Sequence, residues 1–205
     1  MMVQQVHHGA ARLLIVGPQG SGKGTQGVRI AEALQIPVVS TGDIFRANIK
    51  GGTELGLKVK AITDAGELVP DAVTSEIVRD RLSQDDAQGG FLLDGYPRNV
   101  AQVGHLDEFL AGRGESLDAV ILLDVPRDES LSRITRRAEQ EGRSDDTAEA
   151  IAKRLDIYES ETAPIIDIYE ERAIVDRIDG VGSLDEITER IFAALEARGI
   201  ARVAA

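Results

Sequence analysis

No cysteine occurs in the 205 residues, so neither a disulfide framework nor a zinc site built on thiolates is available. Histidine is almost as scarce. Of three, two are adjacent, His7 and His8, where a solvated tail is the plainer reading than a metal site. No run of 18 apolar residues is present, which argues against a membrane-spanning helix. The opening MMVQQVHHGAARLL holds no apolar stretch of signal-peptide length, so a cytoplasmic location is expected. Positive charge is short: 23 Lys and Arg against 35 Asp and Glu leave a net charge of −12. That balance argues against nucleic acid as the main partner, because phosphate backbones select basic faces. There is no internal repeat, no low-complexity tract and no Pro/Gly linker, so one domain with small excursions is expected. Its length is enough to bury a proper core.

What is present is an alternation. Short apolar runs at Leu13–Val16, Val38–Val39, Phe91–Leu93, Ala119–Leu123 and Ala173–Ile178 read as strands. Helical patterns separate them at 25–35, 43–50, 53–65, 71–84, 99–111, 127–140, 147–171 and 184–198. Such alternation implies βαβ units and a parallel five-stranded sheet with helices on both faces, an α/β fold. Residues 41–70, with two short helices and several turn glycines, read as an insert, and 137–146 as a polar bridge between helices.

The first chemical signal is GPQGSGKGTQ at 17–26. It follows the strand-like RLLIV and precedes a helix pattern, the context that makes a phosphate-binding loop credible. Its backbone N–H groups and the helix N-terminus form an anion cradle, and Lys23 adds a point charge for the transferring phosphoryl group. The register departs from G-x-x-x-x-G-K-[ST] at one place: Gly24 stands where a Mg²⁺-binding hydroxyl is usual, and Thr25 comes one residue late.

Three further stretches carry candidates. In STGDIFR (40–46), Thr41 or Asp43 could cap the following helix. In FLLDGYPRN (91–99), Asp94 falls at the C-terminal end of a buried strand, where open α/β sheets bind ligands. There it can hold water around Mg²⁺, or simply form a turn with Gly95. Arg98 offers the planar fork suited to phosphate. The third is LSRITRRAEQEGRSDDTAEAIAKRL (131–155). Six of the 23 cations lie between Arg133 and Arg154, more than twice an even share. This suggests a small anionic ligand; the plainer reading is a solvated helix face. Arg154 shares its face with Ile151 and Tyr158, so it either snorkels or is aimed at a buried anion, and beside a phosphate loop the second is preferred. Asp145 and Asp146 read as caps for the helix that follows, Asn99 as a cap for its own, and Arg136 as solvated.

These motifs together resemble the nucleoside monophosphate kinases, over about residues 12–198, and among them the adenylate kinases. A glycine after the loop lysine is that family's pattern, with the metal held largely through water. The resemblance implies a P-loop NTPase-type core carrying an NMP-binding insert at 40–69 and a short lid at 136–146. It implies the reaction ATP + AMP ⇌ 2 ADP with Mg²⁺, and ATP, AMP and ADP as the partners. Gly20, Ser21, Gly22, Lys23, Gly24 and Thr25 would bind ATP, with Arg133 and the backbone near Gly182 at its adenine and Arg137 on its phosphates. AMP would meet Thr41, Arg46, the segment Glu67, Leu68 and Val69, the turn Gly95, Tyr96, Pro97 and Arg98, and Gln102. Arg143 and Arg154 would bridge the transferring group and the acceptor. Lys23, Arg98, Arg137, Arg143 and Arg154 form the implied catalytic set, with Asp94 on Mg²⁺ through water.

Thr41 and Gln102 are the adenylate kinase choices, where uridylate/cytidylate kinases carry alanine and asparagine. Asn99 departs toward the pyrimidine enzymes and leaves room for acceptor breadth. The rival expectations are therefore a kinase using CMP, UMP or GMP, or a GTP donor, and, from another class, a nucleotide-dependent switch. The lid is too short for the zinc subdomain of longer relatives, and a monomer is implied.

Overall fold

Five strands, β1 (Arg12–Val16), β2 (Val38–Ser40), β3 (Phe91–Asp94), β4 (Ala119–Asp124) and β5 (Val175–Asp179), form one sheet in the order β2-β3-β1-β4-β5. All neighbours are parallel. The computed structural model describes residues 11–65, 67, 69–141 and 147–203. Residues 1–10 with His7 and His8, Leu68, and 142–146 with Arg143, Asp145 and Asp146 lie outside the described residues.

The runs RLLIV, FLLD and AVILLD are near-continuous apolar stretches because both faces of a parallel sheet are covered. Successive residues alternate between two layers. Leu13, Ile15, Leu92, Ile121 and Leu123 pack against α1 (Lys23–Leu34) and α9 (Leu184–Ala197). Leu14, Val16, Leu93, Val120 and Leu122 face the other layer, closed by α4 (Asp71–Leu82), α5 (Val100–Ala111) and α8 (Pro164–Glu171). Chain connections leave β1 toward β2 and β3 toward β4, so strand order reverses between β1 and β3. The crevice at their C-terminal ends is where such sheets bind ligands.

Two smaller apolar clusters stand apart from the sheet. Phe45, Val59 and Val69 join α2 (Thr41–Lys50) to α3 (Glu54–Asp64). Ile134, Ile151 and Leu155 join α6 (Arg127–Glu141) to α7 (Ala148–Ile157).

The helix expected over 147–171 is divided. α7 ends at Ile157, a π-helical turn spans Tyr158–Thr162, and α8 begins with Pro164 at its N-terminus. Proline has no N–H to continue the ladder, and Ala163 N–H instead reaches back five residues to the Tyr158 carbonyl at 2.7 Å. Two caps also differ from expectation. Ser40, rather than Thr41 or Asp43, caps α2 by accepting from Asp43 N–H, and Thr147 caps α7 by accepting from Ala150 N–H. The last strand begins at Val175 because Ala173 occupies a left-handed turn at φ 57.

Candidate active site

The loop after β1 enters α1 with Gly20 at φ 82 and Gly22 at φ 88, backbone that side-chain-bearing residues rarely adopt. A Cβ at Gly20 would also stand 2.6 Å from the Ser130 carbonyl oxygen. Helices α2, α3, α5, α7 and α9 each begin on a side-chain cap, from Ser40, Thr53, Asn99, Thr147 and Ser183. α1 begins at Gly22 without one and with no acidic residue in its first turn. Its leading N–H groups are therefore offered to an external anion.

Lys23 opens α1 in a crowded electrostatic setting. Burial lowers its pKa from the ordinary lysine value; Asp94 opposes that, and Arg98, Arg137 and Arg46 add to it. Arg98 behaves likewise, lowered first by burial, raised by Asp94, then lowered by Arg154 and Arg46. Lys23 and Arg98 thus both feel Asp94 against the neighbouring Arg46, Arg137 and Arg154, in a chain whose net charge is −12. Such a concentration of positive charge suits an anionic ligand. Asp94, 9% exposed at the end of β3, pairs with Ile15 of β1 and Ser40 of β2. A Cβ at Gly24 would lie 3.8 Å from Asp94 Oδ2. The glycine leaves open the space that a hydroxyl side chain would fill.

Across the crevice, the turn after β3 is held by converging donors. Thr41 Oγ1 and Arg98 Nε donate to the Gly95 carbonyl at 3.0 and 2.7 Å, and Thr162 Oγ1 donates to the Arg98 carbonyl at 2.7 Å. Arg98 has five N–H donors, and this contact uses one. Gln102, 2% exposed, accepts from Arg98 N–H at 2.8 Å and donates to Asp71 Oδ1 at 2.8 Å. Arg46 is paired with Asp43 at 2.6 Å.

A cleft of about 820 Å³ joins these walls, within the range of ligand pockets. Gly20, Gly22, Lys23, Gly24, Thr25, Arg133 and Arg137 line one side. Thr41, Arg46, Glu67, Val69, Gly95, Pro97, Arg98, Gln102 and Arg154 line the other, with Asp94 between. Three expected residues stand back from it. Ser21 is buried within the loop. Tyr96 turns inward, its hydroxyl 2.9 Å from Ser75 Oγ. A Cβ built on Gly182 would face Glu186 and Arg190.

Several contacts tie the walls together. Arg133 donates to Glu129 Oε1 at 2.7 Å, to the Ser21 carbonyl at 3.3 Å and to the Gly180 carbonyl at 2.9 Å. It thereby joins the phosphate loop to the turn after β5. Arg154 Nη2 donates to the Thr63 carbonyl at 2.9 Å, and Lys153 Nζ to Glu67 Oε1 at 2.6 Å, linking α7 to the α2–α3 unit. Arg136 is exposed. Sequence reasoning missed Tyr158 and Thr162, which line the cleft from the π turn, although Pro164 marked the break. It also missed Asp71, which looks from sequence like any first-turn acid. Among the described residues, no helix is long and apolar enough to cross a membrane.

Comparison with known proteins points to one family. A family model described as adenylate kinase matches residues 15–174. A Kocuria rhizophila protein named adenylate kinase is 60% identical over 90% of this chain and 98% of its own length. One of the same name from Bifidobacterium longum is 57% identical over 90% of this chain and 100% of its own. Another from Thermobifida fusca is 52% identical over 91% and 99%. The chain belongs to the adenylate kinase family of phosphotransferases.

Proposed function

We propose that the protein catalyses ATP + AMP ⇌ 2 ADP with Mg²⁺, using the residues that line the two walls of the cleft. The observation that carries this reading is the clustering of Lys23, Arg46, Arg98, Arg137 and Arg154 around Asp94, between an uncapped helix N-terminus and a second polar wall. A nucleotide switch has no use for a second set of phosphate-binding arginines.

Among the described residues no three His, Cys, Asp or Glu side chains converge to cage a metal. Asp94 Oδ2, a hard carboxylate oxygen facing the open space at Gly24, fits an ion held chiefly by phosphate oxygens and water, with Asp94 bound to it through water. Bound there, Mg²⁺ would neutralise charge on the donor β- and γ-phosphates. The chain's own part is positioning and electrostatics. Lys23 and the N–H groups from Gly20 to Thr25 hold the donor phosphates. Three of the five in-plane N–H donors of Arg133 are already engaged, which fixes the guanidinium and turns its flat face to the donor adenine. Gly182 is set back from the cleft, so Arg133 carries that assignment. Arg46 and Arg98 clamp the acceptor phosphate, and Thr41, Gln102 and the Glu67–Leu68–Val69 segment take its nucleoside. Gly95, Tyr96 and Pro97 form the turn that aims Arg98. Arg137, Arg143 and Arg154 neutralise the group in transit.

We read residues 40–69 as the NMP-binding insert and 136–146 as the lid. A separate apolar cluster of Phe45, Val59 and Val69 supports the insert, and a second, of Ile134, Ile151 and Leu155, flanks the lid. Their closing would exclude water from the transferring group. We also read the protein as a cytoplasmic monomer, which sedimentation and fractionation check.

The test is ADP formation from ATP–Mg²⁺ with AMP, CMP, UMP or GMP as acceptor, beside an ATP-only control. Fast turnover with AMP alone is expected. A preference for CMP or UMP would mean that the acceptor wall is misread, and hydrolysis indifferent to acceptor would end the two-nucleotide reading.

A further inference from the structure

Gln102 is an amide, and an amide can read two kinds of base edge. Turned one way it meets an adenine, whose N1 accepts and whose 6-amino group donates. Turned over, it meets a 6-oxopurine, whose N1–H donates and whose O6 accepts. A glutamine at the acceptor base therefore does not by itself select adenine. Something must stop it turning.

The structure supplies that constraint outside the cleft. Gln102 Oε1 accepts from Arg98 N–H at 2.8 Å, and Gln102 Nε2 donates to Asp71 Oδ1 at 2.8 Å. One partner can only donate and the other, ionised, can only accept, so turning the amide would break both contacts and oppose like charges. Asn99 secures the arrangement. Its Oδ1 accepts from Gln102 N–H at 2.9 Å and its Nδ2 donates to the same Asp71 Oδ1 at 3.0 Å. Asp71 and Asn99 thus stand at the N-termini of α4 and α5 and bind the two helices together. Neither lines the cleft, whereas Gln102 does. With Asp71 and Arg98 N–H satisfied, Gln102 retains one N–H and one oxygen lone pair. That is the pattern an adenine edge complements.

We propose that Asp71, held by Asn99, is a positioning residue that sets purine selectivity by locking the Gln102 side chain in the orientation that accepts a 6-aminopurine and refuses a 6-oxopurine. The inference rests on the reading that the acceptor base lies at Gln102. It also explains Asn99, which fixes the selector and does not broaden the acceptor range.

Inosine monophosphate is the probe, because its base presents the 6-oxo edge without the 2-amino group of guanine. The kcat/KM for AMP and for IMP would be measured for the native protein, Asp71→Asn, Asp71→Ala and Gln102→Ala, with thermal melts to establish that each is folded. Native enzyme should reject IMP strongly. Asp71→Asn, which can present either an acceptor or a donor, should narrow the AMP/IMP ratio by about tenfold or more, chiefly through KM. Asp71→Ala should do the same. A merely structural role would lower both substrates together and leave the ratio alone, and that result in a folded variant overturns the proposal. If Gln102→Ala also leaves the ratio unchanged, the base does not lie at Gln102 and the underlying reading fails instead.

A second measurement needs no substitution at Asp71. The two side-chain amide protons of Gln102 would be followed by NMR in the native protein, assigned by their disappearance in Gln102→Ala. On adding AMP only one should shift strongly, the other staying on Asp71. Equal movement of both would mean the amide turns freely, contrary to the proposal.

Discussion

Replacing Lys23 by methionine should move activity and stability in opposite directions. The side chain is similar in length and loses only its charge. In the free protein that charge is penalised by burial and by Arg98, Arg137 and Arg46, with the attraction of Asp94 set against them. Removing it relieves a repulsive cluster, so the melting temperature should stay the same or rise. Turnover should fall by about 10²–10³, roughly 3–4 kcal/mol of transition-state stabilisation, the usual loss for one preorganised charge. The pH dependence sharpens the test. Lys23 binds its proton more weakly folded than unfolded, so the folded state is penalised while the group is protonated. Native stability should therefore climb as pH rises through the folded-state value toward the ordinary lysine value, with the gain complete above it. Lys23→Met should lack that rise. A polyphosphate restores the proton affinity, so nucleotide binding should take up protons in the same window and weaken as pH increases. Circular-dichroism melts between neutral and alkaline pH, with a coupled ADP assay, measure all of this. Near-normal turnover in Lys23→Met, or a fall in melting temperature, would refute the reasoning.

Gly24→Thr places a hydroxyl toward Asp94, since the Cβ alone comes within 3.8 Å of Oδ2. The fold should persist while turnover drops by about tenfold, near 1.4 kcal/mol of barrier; unchanged turnover would show that the open space is unused. Gly20→Ala meets both a left-handed backbone and the Ser130 carbonyl, and denaturant titration should find it less stable by about 1–3 kcal/mol. Lys153→Ala removes an exposed ion pair to Glu67, worth at most about 1 kcal/mol. Its kcat and KM should each change by less than about fivefold, and a larger loss would make Lys153 a participant.

The order of strands and helices was legible because it is written locally. Runs such as AVILLD and the 3.6-residue patterns between them need no partner to be recognised. The phosphate loop and DGYPR were legible for the same reason, each being a short piece of backbone with its own chemistry. What escaped depends on residues distant in sequence. Thr162 reaches the Arg98 carbonyl across 64 positions, and Gln102 reaches Asp71 across 31. Neither Thr162 nor Asp71 carries a local mark beyond that of an ordinary turn or first-turn residue. The division of 147–171 had a visible cause in Pro164, but a proline is also tolerated at the start of a helix. Only the packing of Ile165 and Ile166 into the sheet layer decides that a new helix begins there.

The small clusters beneath α2–α3 and α6–α7 have a consequence for how such a protein can be retuned. They share no member with the two sheet layers, and local opening draws on the few contacts it breaks rather than on the whole core. A methyl trimmed from Val59 or Ile151 should speed amide exchange in those helices while leaving exchange in β1 and β4 where it was. Heat tolerance and the pace of opening would then be separately heritable traits. A lineage moving to a colder habitat could loosen one without surrendering the other.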